Sequence, residues 1–299
     1  MQIDQLATVE QVMHPSPGQL MRRRIFGHRA LMIGAAILIL IIALSLIVPF
    51  FGLKDPYQQD LLKRLSKPVW QSQGTWQHPL GTDQLGRDYL SRMIYGARIS
   101  LLIGFSVALI SGIIGTVLGV CAGYFGGRMD MVINYIITVR LSMPVVLVAI
   151  AVVALVGGSL KLIIIVLGLL MWNRYAVVMR SSTMMICHQE YVKAAKAVGC
   201  STLRILITEI LPNIFNNLVV VATLEMANAI LLEAVLSFLG MGVQPPLPSW
   251  GLMVSEGKDF LFFEPWLITI PGVALFLLVL SINLLGDGIR DVTSPENAG

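Results

Sequence analysis

Charged positions along this chain are spaced so that six long apolar stretches are left between them. After Arg22, Arg23, Arg24 and Arg29, residues 30–51 run 22 positions without a charge. At about 1.5 Å per helical residue, such a run crosses a bilayer. It is too long for a signal peptide and ends in Val48-Pro49-Phe50-Phe51 rather than at a small-residue cleavage site, so it reads as a retained first span. Residues 99–124 and 131–156 give the second and third spans. The fourth opens with residues 160–172 and continues into Arg174 and Arg180 at the inner surface. Residues 213–238 and 266–285 give the fifth and sixth. The pattern predicts an all-α polytopic membrane protein with six transmembrane helices.

The polar segments between the spans assign the sides. The basic cluster at Arg22–Arg29 places the N-terminus in the cytoplasm, and six crossings return the C-terminus there. Residues 1–29 are then a cytoplasmic N-terminal segment, and residues 30–299 a transmembrane domain. Residues 53–98 form a long external loop with Asp55-Pro56, Lys67-Pro68 and His78-Pro79. Residues 240–265 form a second external loop, stiffened by Pro245, Pro246 and Pro248. Residues 181–212 form a cytoplasmic loop. The short outer loops hold only Lys161 and Lys258. The long one carries seven bases against four acids, so the N-terminal cluster and the short loops set the orientation.

Composition agrees with this reading. Of 299 residues, 56% are hydrophobic and 13% charged, where a soluble domain carries about 25% charged. Mean hydropathy is +0.79. A soluble enzyme, a disordered chain and a disulfide-stapled secreted domain are excluded. The net charge of +4 is dispersed at the ends of apolar runs rather than gathered in one patch, which argues for contact with membrane lipid and against nucleic acid. Cys121, Cys187 and Cys200 have no paired spacing, and His14, His28, His78 and His188 are scattered, so no metal site is expected. The nearest match to a phosphate loop runs from Gly251 to Gly257-Lys258 with one residue too many and no hydroxyl after the lysine. The chain is expected to hold no cofactor and to perform no catalysis itself.

The cytoplasmic loop is the most informative segment. Tyr191, Ala194, Ala195 and Val198 recur at helical spacing, Gly199 follows where a helix end favours a left-handed residue, and Ser201 or Thr202 opens a second helix. Leu203, Leu206, Ile207 and Ile210 repeat the spacing before Pro212. The pattern is a helix–Gly–helix unit with small residues on its first helix. It suits either close approach by another protein or a hairpin lying on the membrane.

Residues 193–199, Lys-Ala-Ala-Lys-Ala-Val-Gly, with Ile210-Leu211-Pro212-Asn213, resemble the "EAA…G…ILPN" loop of ABC importer permeases. The stretches 78–88, 91–98, 236–246 and 286–291 resemble the dipeptide/oligopeptide/nickel class of that family, in its C-type permease subunit, and the likeness covers about residues 20–295. It implies a type I ABC importer permease fold in a bacterial inner membrane. It also implies a second homologous permease subunit, two ATPase subunits carrying ATP and Mg, and a periplasmic substrate-binding protein. The substrate would be a di- or oligopeptide, or nickel or glutathione. The ATPase-coupling loop would include Glu190, Lys193, Ala194, Ala195, Gly199, Leu211 and Pro212. Two departures stand out: Lys193 replaces the motif's usual first acid, with Glu190 one turn earlier. On the third span, Thr138 stands where this class often has an acid, and Arg140 follows.

Three charges fall inside predicted spans: Arg140, Glu225 and Glu233. Each costs about 3 kcal/mol to bury alone, so Arg140 and Glu225 are expected to pair or to face a water-filled path. They fit a structural ion pair or a translocation route. An ion-coupled secondary transporter would use them as a relay, but would show inverted repeats, and none is visible. Gly115, Gly119, Gly123 and Gly127 form a small-residue stripe expected to pack within the chain. Lys63, Arg64, Lys67 and Trp250 are candidate contacts for the binding protein. The alternative is that their loops only seal the helix ends.

Overall fold

In a computed structural model, residues 17–293 are described, and their regular structure is helical with no strand among them. A short helix α1 (Pro17–Gly27) precedes α2 (Arg29–Ile47). The following helices are α3 (Tyr89–Phe125), α4 (Gly127–Leu141), α5 (Val145–Val156), α6 (Leu160–Leu170) and α7 (Asn173–Cys187). A short pair, α8 (Glu190–Ala197) and α9 (Thr202–Ile205), leads to α10 (Leu211–Phe238), α11 (Trp250–Gly257) and α12 (Trp266–Thr293). Five helices or helix pairs are long and apolar enough to cross a membrane, and α4 with α5 makes a sixth crossing that is bent by 83°. His28 meets Asp291 at the end of the bundle that carries α8, while Glu256 of α11 meets Arg92 at the opposite end. The described ends of the chain therefore share the α8 end.

The third span is not the continuous helix that residues 131–156 predict. Pro144 has no N–H to donate and disfavours helical backbone at Met143, so α4 stops at Leu141 and α5 restarts at Val145. Ser142 closes the end of α4 twice on one carbonyl, with its N (3.1 Å) and its Oγ (2.9 Å) both donating to Thr138 O. The fourth span is interrupted too, at Met171 and Trp172.

The long polar segment ends ten residues earlier than its polarity predicts. The Asp88 carboxylate accepts from Ser91 N (2.9 Å) and caps α3, which starts at Tyr89. Charge does not stop this helix because its arginines find partners. Arg92 is paired on both sides, and Arg98 Nε donates to Ser45 O at 2.6 Å.

Glycine forms the seam between α3 and α7. A Cβ on Gly119 would come within 2.9 Å of Met179 Cβ, and one on Gly123 within 2.8 Å of Thr183 Cβ. The stripe thus packs within the chain, as expected, and brings two backbones close together. Gly127 is not part of it: it has φ +51° and open space around it.

Candidate functional site

At the α8 end, Val192 is fully buried against Ile205, Ile210 and Met179, which fastens α8 to the bundle. The helix closes on Gly199 (φ +84°): Cys200 N donates to Ala195 O and Gly199 N to Lys196 O, both at 3.1 Å. This double closure satisfies the last carbonyls and requires the left-handed residue that the sequence placed there. Tyr191, Ala194, Val198, Leu203 and Ile207 are exposed, so most of the expected helical face points away from the bundle. Ala195 is half-buried, Glu190 and Lys193 pair at 3.2 Å, and Lys196 lies over the Tyr124 ring. The second helix does not end before the fifth span. It runs through a π-helical turn, Leu206–Ile210, straight into α10, so residues 202–238 form one helical rod with Leu211 and Pro212 inside it.

Near the middle of the bundle, the breaks of the third and fourth spans face one cavity of about 540 Å³. Arg140, Asn173, Arg174, Glu225 and Asn228 line it. Arg140 and Glu225 share this space but do not pair with each other. Glu225, 3% exposed, accepts from Arg174 Nη1 and from Asn228 Nδ2, each at 3.2 Å. Arg140 instead donates from Nη2 to Leu170 O (2.8 Å), a carbonyl freed by the α6–α7 break. Of the two expected arrangements, a mutual pair or a shared open path, the direct Arg140–Glu225 pair is not formed: Glu225 pairs with Arg174. Arg174, expected at the inner surface, lies at the head of α7 where that break aims it into the cavity.

Glu233 does not line this cavity. It is fully buried, and its Oε1 accepts from Ser237 Oγ (2.7 Å) and from Ser249 Oγ (2.9 Å). Ser249 in turn caps α11 by accepting from Leu252 N. Glu233 thus ties α10 to the head of α11 rather than extending a path from Glu225.

At the α11 end a buried ionic cluster joins the two long loops. Arg92, with 0% side-chain exposure, pairs with Asp83 and lies 2.7 Å from Glu256. Arg87 Nε donates to Asp83 at 2.6 Å, and its Nη2 to Glu256 at 3.2 Å. His78 meets Asp88 at 2.8 Å, and Lys54 donates to Gln77 O. Glu256 is 169 residues from Arg87, so no local spacing signals this cluster. Lys63 and Arg64 are exposed and Lys67 is half-buried. Trp250 does not belong with them. It is 4% exposed, with Nε1 donating to Met93 O at 2.9 Å, so its indole locks α11 onto α3.

Residues 115–297 match the family model described as the binding-protein-dependent transport system inner membrane component. Residues 16–68 match one described as the N-terminal TM domain of oligopeptide transport permease C. A di/tripeptide transport system permease protein of Pseudomonas aeruginosa is 38% identical over 285 residues, 95% of this chain and 94% of that one. A dipeptide transport system permease protein of Haemophilus influenzae is 38% identical, covering 90% of this chain and 91% of its own. An oligopeptide transport system permease protein of the same organism is 35% identical, over 92% and 88%. Among solved structures, an inward-facing MetNI methionine ABC transporter superposes with a TM-score of 0.58 at 18% identity, covering 69% of this chain and 98% of that one. That likeness concerns the fold.

Proposed function

The chain belongs to the binding-protein-dependent transport inner-membrane component family, and from this premise we propose that it is one of two permease chains in an ATP-driven importer of di- and oligopeptides. Its relatives of 35–38% identity are named as dipeptide, di/tripeptide and oligopeptide permeases, which favours peptides over nickel or glutathione. It sits in the inner membrane with both termini in the cytoplasm. It carries no catalytic group: two separate ATPase subunits bind ATP and Mg, and a periplasmic binding protein delivers the peptide.

The observation that carries this reading is the exposed apolar face of α8 and α9, hinged at Gly199 and seated on the bundle by Val192. Glu190, Lys193, Ala194 and Val198 meet the ATPase there. Because α9 and α10 form one rod, a push on α8–α9 tilts α10, which carries Glu225 and one wall of the central cavity. That cavity, with Arg140, is part of the translocation path. The basic stretch Lys63, Arg64 and Lys67 docks the binding protein.

The test is uptake of labelled trialanine by proteoliposomes holding this chain with its partner permease and ATPases, with binding protein outside. Uptake should need ATP and be indifferent to proton or sodium gradients. Gradient-driven uptake without ATP would refute the proposal.

A further inference from the structure

The central cavity carries more positive charge than its own acid neutralises. Its charged lining residues are Arg140, Arg174 and Glu225, and Glu225 is matched by Arg174. Arg140 has no acidic partner within 4 Å among the described residues; its contacts are the carbonyls of Leu170 (2.8 Å) and Met143 (3.4 Å). Those carbonyls orient the guanidinium without neutralising it. Arg140 Nε is buried with no partner, and so is Asn173 Oδ1 on the same cavity. Buried polar atoms are normally paired, so an unmet donor and an unmet acceptor on two residues of one lining mark side chains that a ligand engages by drawing them into the space. Interrupted helices facing the space, α4–α5 and α6–α7, fit the same conclusion, because broken backbone inside a membrane belongs where it lines a polar site. A volume of about 540 Å³ is in the range of small-molecule sites.

We propose that this cavity is a transit site for the free α-carboxylate of the imported peptide, anchored by Arg140. This rests on the peptide-importer reading above. Arg140 Nη2 is held by Leu170 O, and Nη1, only 3.4 Å from Met143 O, is the weakly engaged nitrogen that takes a carboxylate oxygen in a charge-assisted hydrogen bond. Asn173 Oδ1 accepts a peptide N–H. The Arg174–Glu225 pair is exchangeable, since the Arg174 side chain is 65% exposed: when the carboxylate draws Arg174, Glu225 receives the α-ammonium. The same anion chemistry is offered by a lipid headgroup. The presence of both signs around the cavity favours a zwitterion, because an anionic lipid matches the arginines and is repelled by Glu225.

The experiment uses the assembled transporter in phosphatidylcholine nanodiscs without nucleotide, titrated with trialanine and with trialanine amide and read by isothermal titration. Wild type should bind the free acid about tenfold more tightly than the amide, the worth of one charge-assisted hydrogen bond. Arg140→Gln should erase that ratio, and Arg140→Lys should retain part of it. Adding phosphatidylglycerol should leave trialanine binding unchanged. Equal binding of acid and amide to wild type overturns the proposal. So does an unchanged ratio in Arg140→Gln, or loss of trialanine binding on adding phosphatidylglycerol, which would make the lipid the ligand. Should Arg140→Gln fail to assemble, the acid–amide comparison on wild type decides alone. ATP-driven uptake of trialanine together with equal binding would sink only the carboxylate site. Absence of uptake would sink the importer reading beneath it.

Discussion

Arg174 Nη1 stands 3.2 Å from Glu225 Oε1, joining the head of α7 to the middle of α10 across one wall of the central cavity. The two partners differ in setting: the Glu225 side chain is 5% exposed and that of Arg174 is 65% exposed. Such a pair holds its carboxylate in place while leaving its cation free to exchange.

The first prediction follows from that asymmetry. Glu225→Ala and Arg174→Ala should show a coupling of about 1 kcal/mol in a double-mutant cycle of thermal unfolding in detergent. Glu225→Ala with Arg140→Ala should be additive to within about 0.5 kcal/mol. A larger coupling for Arg140 than for Arg174 would reverse the assignment of the pair.

Gly199 is a test of backbone conformation alone. A Cβ there meets nothing within 4 Å, so a substitution is opposed only by φ +84°. The left-handed cost is about 1–2 kcal/mol for a side chain such as valine and smaller for asparagine. Gly199→Val should insert normally yet lose co-purification with the ATPase or ATP-dependent uptake. Gly199→Asn should keep both. Full uptake by the valine variant would remove this loop from coupling.

Packing at the glycine seam gives a third outcome. Gly119→Leu drives a side chain into α7, where Met179 Cβ and the Ala176 carbonyl are already close, and should lower the amount of folded protein several-fold. Gly272→Ala on α12 meets open space and should leave it unchanged. Fluorescence-detected size exclusion of tagged variants compares the two.

At the α11 end, Arg92→Met leaves Asp83 and Glu256 with Arg87 as their one remaining cation, an uncompensated buried charge that costs about 3 kcal/mol. The loop before α3 should then become sensitive to protease added from the binding-protein side. Restoring neutrality with Glu256→Gln in the same chain, which leaves Arg87 paired with Asp83, should recover part of the resistance. Protection equal to wild type in Arg92→Met would show that the cluster does not hold the loops.

Charge reversal at Lys63, Arg64 and Lys67 should reduce stimulation of ATP hydrolysis by the binding protein. Trp250→Phe should leave that stimulation intact and lower thermal stability, because its indole bond goes to Met93 O inside the chain. Undiminished stimulation in the triple variant would place docking elsewhere.

Reading the chain alone determined what depends on local order. Apolar length set the number of crossings, because each span must be covered by about 20 apolar residues whatever its neighbours do. The helix–Gly–helix unit was legible because helical spacing and the left-handed need at Gly199 act within a few residues. The glycine seam was legible for the same reason. Pro144 was visible, but the 83° bend it permits was not, since a proline can kink a helix or end it and packing chooses between them.

Only the tertiary structure decided which charges meet. Arg140 and Glu225 were the two charges the sequence placed deepest in the membrane, and depth alone left a mutual pair and a shared open path equally available. The break before α7 turns Arg174 inward, so Glu225 takes that cation and Arg140 is left facing the cavity. Likewise Trp250 reads as a loop aromatic until Met93, 157 residues away, is seen to accept its indole proton. Sequence spacing fixes periodicity and reach along one helix. The pairing of charges between helices depends on the direction in which each helix is broken and packed, which no local pattern encodes.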